Sequence, residues 1–214
     1  MKFKTDIEIV TGFIGSGKTY FINSLVKNTL LKIEKILIIQ CEEGNSKINE
    51  DLVNFKNITI LNYDPQKPLD EDGLKEIILR YQVHRIIIEY NGTRNLADLL
   101  EILNKRELKK ISNVTSIFFI ADCNTYKMFL NNMPTLILPN LYHCNLVVFN
   151  NSSKIPKDEF KSIERHILSL NRDTFILSST SNDSLEKDLN EEDFLDGGLL
   201  KLSRILTKIL LSKF

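Results

Sequence analysis

The chain has 214 residues, 43% hydrophobic and 26% charged, and its 28 Lys and Arg balance its 28 Asp and Glu. That length suits one large domain with a sizeable core, and the balanced charge gives no footprint for nucleic acid or an anionic membrane. Three scattered cysteines, Cys41, Cys123 and Cys144, make no C-x-x-C pair, which excludes a disulfide framework or a sequence-local thiolate metal site and leaves reduced thiols in a cytoplasmic protein as the expectation.

In chain order, Met1 to Asp6 has no signal-peptide layout, and no run is long enough to span a membrane. A short apolar run, Ile7 to Val10, then opens into Gly12-Phe13-Ile14-Gly15-Ser16-Gly17-Lys18-Thr19. This segment satisfies G-x-x-x-x-G-K-[ST] at every fixed position, with a strand pattern before it and a helical pattern, Thr19–Leu31, after it. Glycines let such a loop turn tightly and aim its N–H groups inward, making an anion nest backed by a helix N-terminus. Gly12, Gly15, Ser16, Gly17, Lys18, Thr19 and the adjoining Tyr20 are therefore expected to bind a nucleoside triphosphate. Lys18 would reach the terminal phosphates and the Thr19 hydroxyl would ligate Mg²⁺.

Further strands are expected at Lys35–Gln40, Ile58–Leu61, Arg85–Glu89, Ser116–Ala121, Leu146–Phe149 and Thr174–Leu177. Runs such as Ile36-Leu37-Ile38-Ile39 are continuously apolar, as parallel strands covered on both faces are. Helical patterns fill the gaps at Leu69–Tyr81, Leu96–Leu103, Thr125–Asn131 and Lys157–Leu170. The polar, acidic stretch 178–198 reads as a loop, and Leu199–Leu211 has helical apolar spacing. Docking of this last helix on the sheet is favoured over a membrane-surface or partner-binding role. The alternation predicts a single doubly wound α/β domain over residues 1–214, mostly parallel, with helices on both faces.

Ligands of such sheets gather at the carboxyl ends of the strands. Acids recur there: Glu42 and Glu43 follow Gln40-Cys41, Glu89 ends Ile86-Ile87-Ile88, and Asp122 follows Ala121. Mg²⁺ takes oxygen ligands and needs only one or two carboxylates, so Thr19, Glu42, Glu89 and Asp122 are the candidate metal-shell residues. Lys18, Glu42 and Glu89 are the candidate catalytic ones. Gly44 and Gly92 are candidate phosphate-sensing glycines. His84, His143 and His166 share no ligand spacing.

These segments resemble the CobW/HypB/UreG group of phosphate-loop GTPases. Val10-Thr11-Gly12-Phe13-Ile14-Gly15-Ser16-Gly17-Lys18-Thr19 resembles that family's T-G-F-L-G-[AS]-G-K-T-T opening. Gln40-Cys41-Glu42-Glu43-Gly44 is similar to its N-E-F-G switch, and Glu89-Tyr90-Asn91-Gly92 to its E-[TS]-[TS]-G segment. Asp122 falls on the acid of its V-D-A segment. Val147-Val148-Phe149-Asn150 resembles the strand leading into the guanine-reading N-K-x-D, which adds Asn150 to the nucleotide-binding set. The resemblance implies Mg²⁺-dependent hydrolysis, GTP before ATP, coupled to delivery of a metal or cofactor to a partner protein, with a homodimer an option.

Three departures stand out. The chain reads Asn150-Asn151-Ser152-Ser153 where the family reads N-K-x-D, so a serine replaces the aspartate that would pair with guanine. Residues 45–83 contain no Cys or His where the CobW branch carries C-x-C-C. A CobW-type C-terminal domain is not seen. Two alternatives accompany the GTPase expectation: a nucleotide-gated binding module without significant hydrolysis, and a small-molecule kinase with Lys105-Arg106-Glu107-Leu108-Lys109-Lys110 as its basic lid. The latter run reads more simply as a solvated helix face.

Overall fold

The computed structural model describes residues 3–42, 48, 52, 54–181, 184–191 and 198–213. Seven strands form one sheet: β1 (Thr5–Thr11), β2 (Ile36–Gln40), β3 (Ile58–Asn62), β4 (Arg85–Glu89), β5 (Ser112–Asp122), β6 (Leu146–Asn150) and β7 (Phe175–Ser178). Their order is β3-β2-β4-β1-β5-β6-β7, and every neighbouring pair is parallel. All seven expected strands are present. β5 begins four residues earlier than its apolar run, because Ser112–Thr115 extend the pairing with β1 and the register shifts between Ile7 and Glu8.

Nine α-helices are present among the described residues: α1 (Lys18–Thr29), α2 (Glu71–Tyr81), α3 (Leu96–Leu103), α4 (Arg106–Ile111), α5 (Cys123–Asn132), α6 (Pro134–His143), α7 (Lys157–Leu170), α8 (Leu185–Glu191) and α9 (Gly198–Lys213). They cover both faces of the sheet. Helices α2 to α7 bury Leu74, Leu99, Leu108, Tyr126, Ile137 and Ile163 against one face. On the other, α1 and α8 bury Phe21, Leu25, Leu185 and Leu189. Because Ile36 to Ile39 of β2 and Ile86 to Ile88 of β4 are fully buried, both faces of the sheet are dry, as a doubly wound fold requires.

Two helices were not expected. α6 follows α5 after one residue and carries Pro139 in its interior. α8 lies inside 178–198, so that stretch is not one loop. Its Leu185 and Leu189, four residues apart, share one helical face and pack against α1. The final helix docks at the amino ends of the strands through charge: Lys201 pairs with Glu34 at 3.1 Å and Lys208 with Asp6 at 2.7 Å. Beside them Arg85 pairs with Glu8 at 2.5 Å. No helix among the described residues is long and apolar enough to cross a membrane.

The order of connections matters for the site. After β1 the chain moves outward to β2 and β3, returns to β4 beside β1, and then crosses to β5, β6 and β7. The carboxyl end of β1 is therefore the point where the sheet's winding reverses, the place where such folds leave a crevice. Gly12–Thr19 begins there.

Candidate functional site

Gly12, Gly15 and Gly17 adopt φ of 145°, 78° and 100°, a region that side chains with a Cβ rarely occupy. At Gly12 a Cβ would also stand 2.1 Å from the Ile120 carbonyl oxygen, whereas at Gly15 it would meet nothing within 4 Å. The first glycine is thus demanded by packing on β5, and the second by its backbone turn on the open side. Gly17 precedes α1, whose N-terminus has no side-chain cap and no acidic residue in its first turn. Its N–H groups are left for an anion.

Two residues of the loop are held by acids from neighbouring strands. The Lys18 ammonium donates to the carbonyls of Gly12 and Phe13 at 2.8 and 3.0 Å and pairs with Glu42 at 2.6 Å. Its side chain is almost wholly buried. The Thr19 hydroxyl donates to Glu89 Oε1 at 2.6 Å, and the Gln40 amide donates to Glu89 Oε2 at 2.8 Å. Glu89 comes from the end of β4 and Gln40 from the paired position on β2. Gln40 was not singled out in the sequence. Its signal was a polar residue closing the apolar strand Ile36-Leu37-Ile38-Ile39 beside the acid-bearing strand.

Gly92 sits against the loop itself. A Cβ there would be 2.1 Å from the Gly12 carbonyl oxygen and 2.8 Å from the Phe13 nitrogen. The segment after Glu89 therefore packs directly on the loop's first turn. Gly44 and Glu43 lie outside the described residues.

On the other side the loop is met by a neutral amide. Asn150, fully buried at the end of β6, donates through Nδ2 to the Ser16 carbonyl at 2.6 Å. Asp122 caps α5: its Oδ1 accepts from the Asn124 backbone N–H at 2.8 Å, and its Oδ2 accepts from Asn151 at 2.7 Å. Asp122 ends β5, beside the loop, and both its oxygens are engaged. Asn151 is left-handed, with φ of 58°. It opens a 3₁₀ turn, Ser152–Lys154, tied to the end of β7 by the Ser152 N–H donating to Ser179 O at 3.0 Å. Ser153 is exposed on this turn. Tyr20 is partly exposed in the first turn of α1.

Whether the residues fit a magnesium triphosphate can be tested on the polar groups present. The Ser16 hydroxyl is buried inside the loop without a hydrogen-bond partner, as is Asn150 Oδ1. A buried orphan costs about 1–3 kcal/mol, so both groups are suited to receive a ligand or a water. Hydroxyl and carboxylate oxygens at Thr19 and Glu89 match the hard-oxygen chemistry of Mg²⁺. The donor set fits. Beside it lies a cavity of about 110 Å³ lined by Phe13, Ile14, Asp122, Tyr126 and Phe129 among others.

Soft-metal chemistry finds less support. All three cysteines are buried and free. Burial pushes the thiols of Cys41 and Cys123 up to about 12 and that of Cys144 up to about 11, away from the thiolate that binds metal. No group of three or more His, Cys, Asp and Glu that could hold a metal is present among the described residues. The basic run Lys105 to Lys110 precedes β5, at the sheet end opposite the loop. There Leu108 is buried, and Lys105 and Lys110 pair with Glu71 and Glu107. It is a helix face and not a lid over the site.

The model of the CobW/HypB/UreG nucleotide-binding domain matches residues 6–178. Among solved structures, the Zn(II)-bound YjiA GTPase from E. coli superposes with a TM-score of 0.58 at 16% identity, covering 83% of this chain. The chain spans 58% of YjiA's length. Hydrogenase maturation factor HypB from Archaeoglobus fulgidus gives 0.57 at 14% identity, covering 88% of this chain and 89% of that one. HypB from Helicobacter pylori in complex with nickel gives 0.53 at 11%, covering 96% and 89%. At these identities the likeness is one of fold. No curated protein matches the sequence.

Proposed function

The chain belongs to the CobW/HypB/UreG family of nucleotide-binding domains, and from that premise we propose a Mg²⁺-dependent nucleoside triphosphatase, GTP before ATP, with slow intrinsic turnover. The observation that carries this reading is the double pairing at the loop, Lys18 with Glu42 and Thr19 with Glu89. It puts a cation for terminal phosphates next to an oxygen cluster for a hard metal.

In this reading the loop N–H groups and Lys18 hold the β- and γ-phosphates, with Lys18 exchanging its Glu42 partner for phosphate oxygens. Thr19 and Glu89 are the residues that would hold Mg²⁺, with Glu42 beside them as a further carboxylate. When bound, the ion would supply neutralisation of phosphate charge. Gly12, Gly15, Ser16, Gly17 and Tyr20 line the phosphate side, and Gly44 and Gly92 belong to two switch segments that order when the γ-phosphate is present. Asn150 sits on the base side. Asp122 is the weakest member of the metal set, because it caps α5.

The cellular role that fits is delivery of a metal or cofactor to a partner protein in the cytoplasm, with nucleotide state gating the contact. Two measurements test this together: phosphate release from Mg²⁺-GTP, and partner capture from a lysate in the diphosphate and triphosphate states. Slow release, and capture that depends on the γ-phosphate, are expected. Binding without release would move the reading to a nucleotide-gated module, and neither binding nor release would end it.

A further inference from the structure

Glu89 is a buried carboxylate whose two oxygens are held by two different elements. Thr19 Oγ1 from α1 donates to Oε1 at 2.6 Å, and Gln40 Nε2 from β2 donates to Oε2 at 2.8 Å. The two strands also lock at the backbone, where Cys41 N–H donates to Glu89 O at 3.1 Å. Gln40 and Glu89 are Cα partners in the parallel β2–β4 register, so their side chains rise from adjacent strands on the same side of the sheet. The carboxylate therefore cannot rotate without breaking one contact or the other.

The chemistry of the donor matters as much as its position. A lysine or arginine at residue 40 would also hold Glu89, but its positive charge would neutralise the carboxylate and compete with a cation. An amide fixes the plane of the group and leaves its charge intact. A carboxylate has about four lone-pair sites, and Thr19 and Gln40 take two, leaving two for a metal ion or its waters. Groups that orient a metal-associated residue in this way commonly set metal affinity by about 10- to 100-fold.

We propose that Gln40 is the positioning residue for Mg²⁺ at this site: its neutral amide presents Glu89, in one orientation and without a competing positive charge, to the ion that accompanies the nucleotide. The inference rests on the reading of the site as a magnesium–triphosphate site and adds a residue to it. The substitutions that separate it from a packing role are Gln40→Met, which keeps the length and volume, and Gln40→Leu, should the first fold poorly.

The test is equilibrium binding of a fluorescent GTP analogue to the full chain, titrated with Mg²⁺ and repeated in EDTA, with thermal melts to verify folding. For Gln40→Met the half-saturating Mg²⁺ concentration should rise by about 10- to 100-fold, while affinity in EDTA stays within about twofold. In a Glu89→Gln background the same substitution should shift it no further, since contacting residues acting through one another are non-additive. A shift below about threefold, an equal loss in EDTA, or an undiminished shift in the Glu89→Gln background would overturn the proposal. If the unsubstituted chain shows no Mg²⁺ dependence or no binding, the reading of the site fails with it. A normal Mg²⁺ dependence there, with no shift of the half-saturating concentration in the variant, removes Gln40 alone.

Discussion

On one side of the phosphate loop, the ends of β2 and β4 bring Glu42 and Glu89 onto Lys18 and Thr19, each at 2.6 Å, with Gln40 behind them at 2.8 Å. On the other, the ends of β5 and β6 reach the loop through the Asn150 amide, while Asp122 caps a helix and holds Asn151. In the first half acids touch the loop itself, and in the second the loop is touched by a neutral amide. Binding energy should therefore come mainly from phosphate and metal, and discrimination between bases should be weak. Where a carboxylate would take paired hydrogen bonds from guanine, Ser153 offers one exposed hydroxyl.

Four substitutions probe the two halves. Lys18→Ala removes the cation and leaves Glu42 unpaired, and should weaken Mg²⁺-triphosphate binding on the order of 100- to 1,000-fold, read by calorimetry. Gly92→Ala places a Cβ on the Gly12 carbonyl and should cost about 2–3 kcal/mol of stability in urea unfolding. Unchanged stability would mean that the contact yields freely. On the base side, Ser153→Asp restores a carboxylate and should raise the GTP-over-ATP preference by about 10- to 100-fold. An unaltered ratio in competition binding would show that the base is read elsewhere.

Glu42→Gln has the smallest expected effect and the most pointed sign. Glu42 competes with phosphate for Lys18, so removing its charge should tighten diphosphate binding in EDTA by about three- to tenfold, the modest scale of one exchanged ion pair. Weaker binding would show instead that Glu42 supports the loop in the absence of metal.

The strands were legible because buried parallel strands are written as continuous apolar runs, and Gly12–Thr19 was legible because steric and charge demands coincide at fixed spacing. Less was readable where tertiary contact overrides local pattern. The acidic composition of 178–198 hid α8, although Leu185 and Leu189 carried the spacing of a buried face. Pro139 disguised α6, whose Ile137 and Leu141 pack in the core despite it. At the site, Glu42 and Glu89 could be named from their places at strand ends. That one meets Lys18 and the other Thr19 follows from the β2–β4–β1 order, which no local pattern contains. The Gln40 contact was invisible for the same reason, since its partner lies 49 residues away. Asp122 stands at a strand end like the other acids, and its bonds to Asn124 and Asn151 are equally beyond what strand-end position tells.

Everything proposed for this site turns on whether the loop takes a magnesium nucleoside triphosphate through Lys18. Isothermal titration of the chain with GTP, ATP and their diphosphates, with Mg²⁺ present and absent, tests it most directly. One triphosphate per chain, bound more tightly with Mg²⁺ and lost in Lys18→Ala, with GTP and ATP within about tenfold of each other, is the result expected. No binding of any of the four with Mg²⁺ present, or binding untouched by Lys18→Ala, would contradict it.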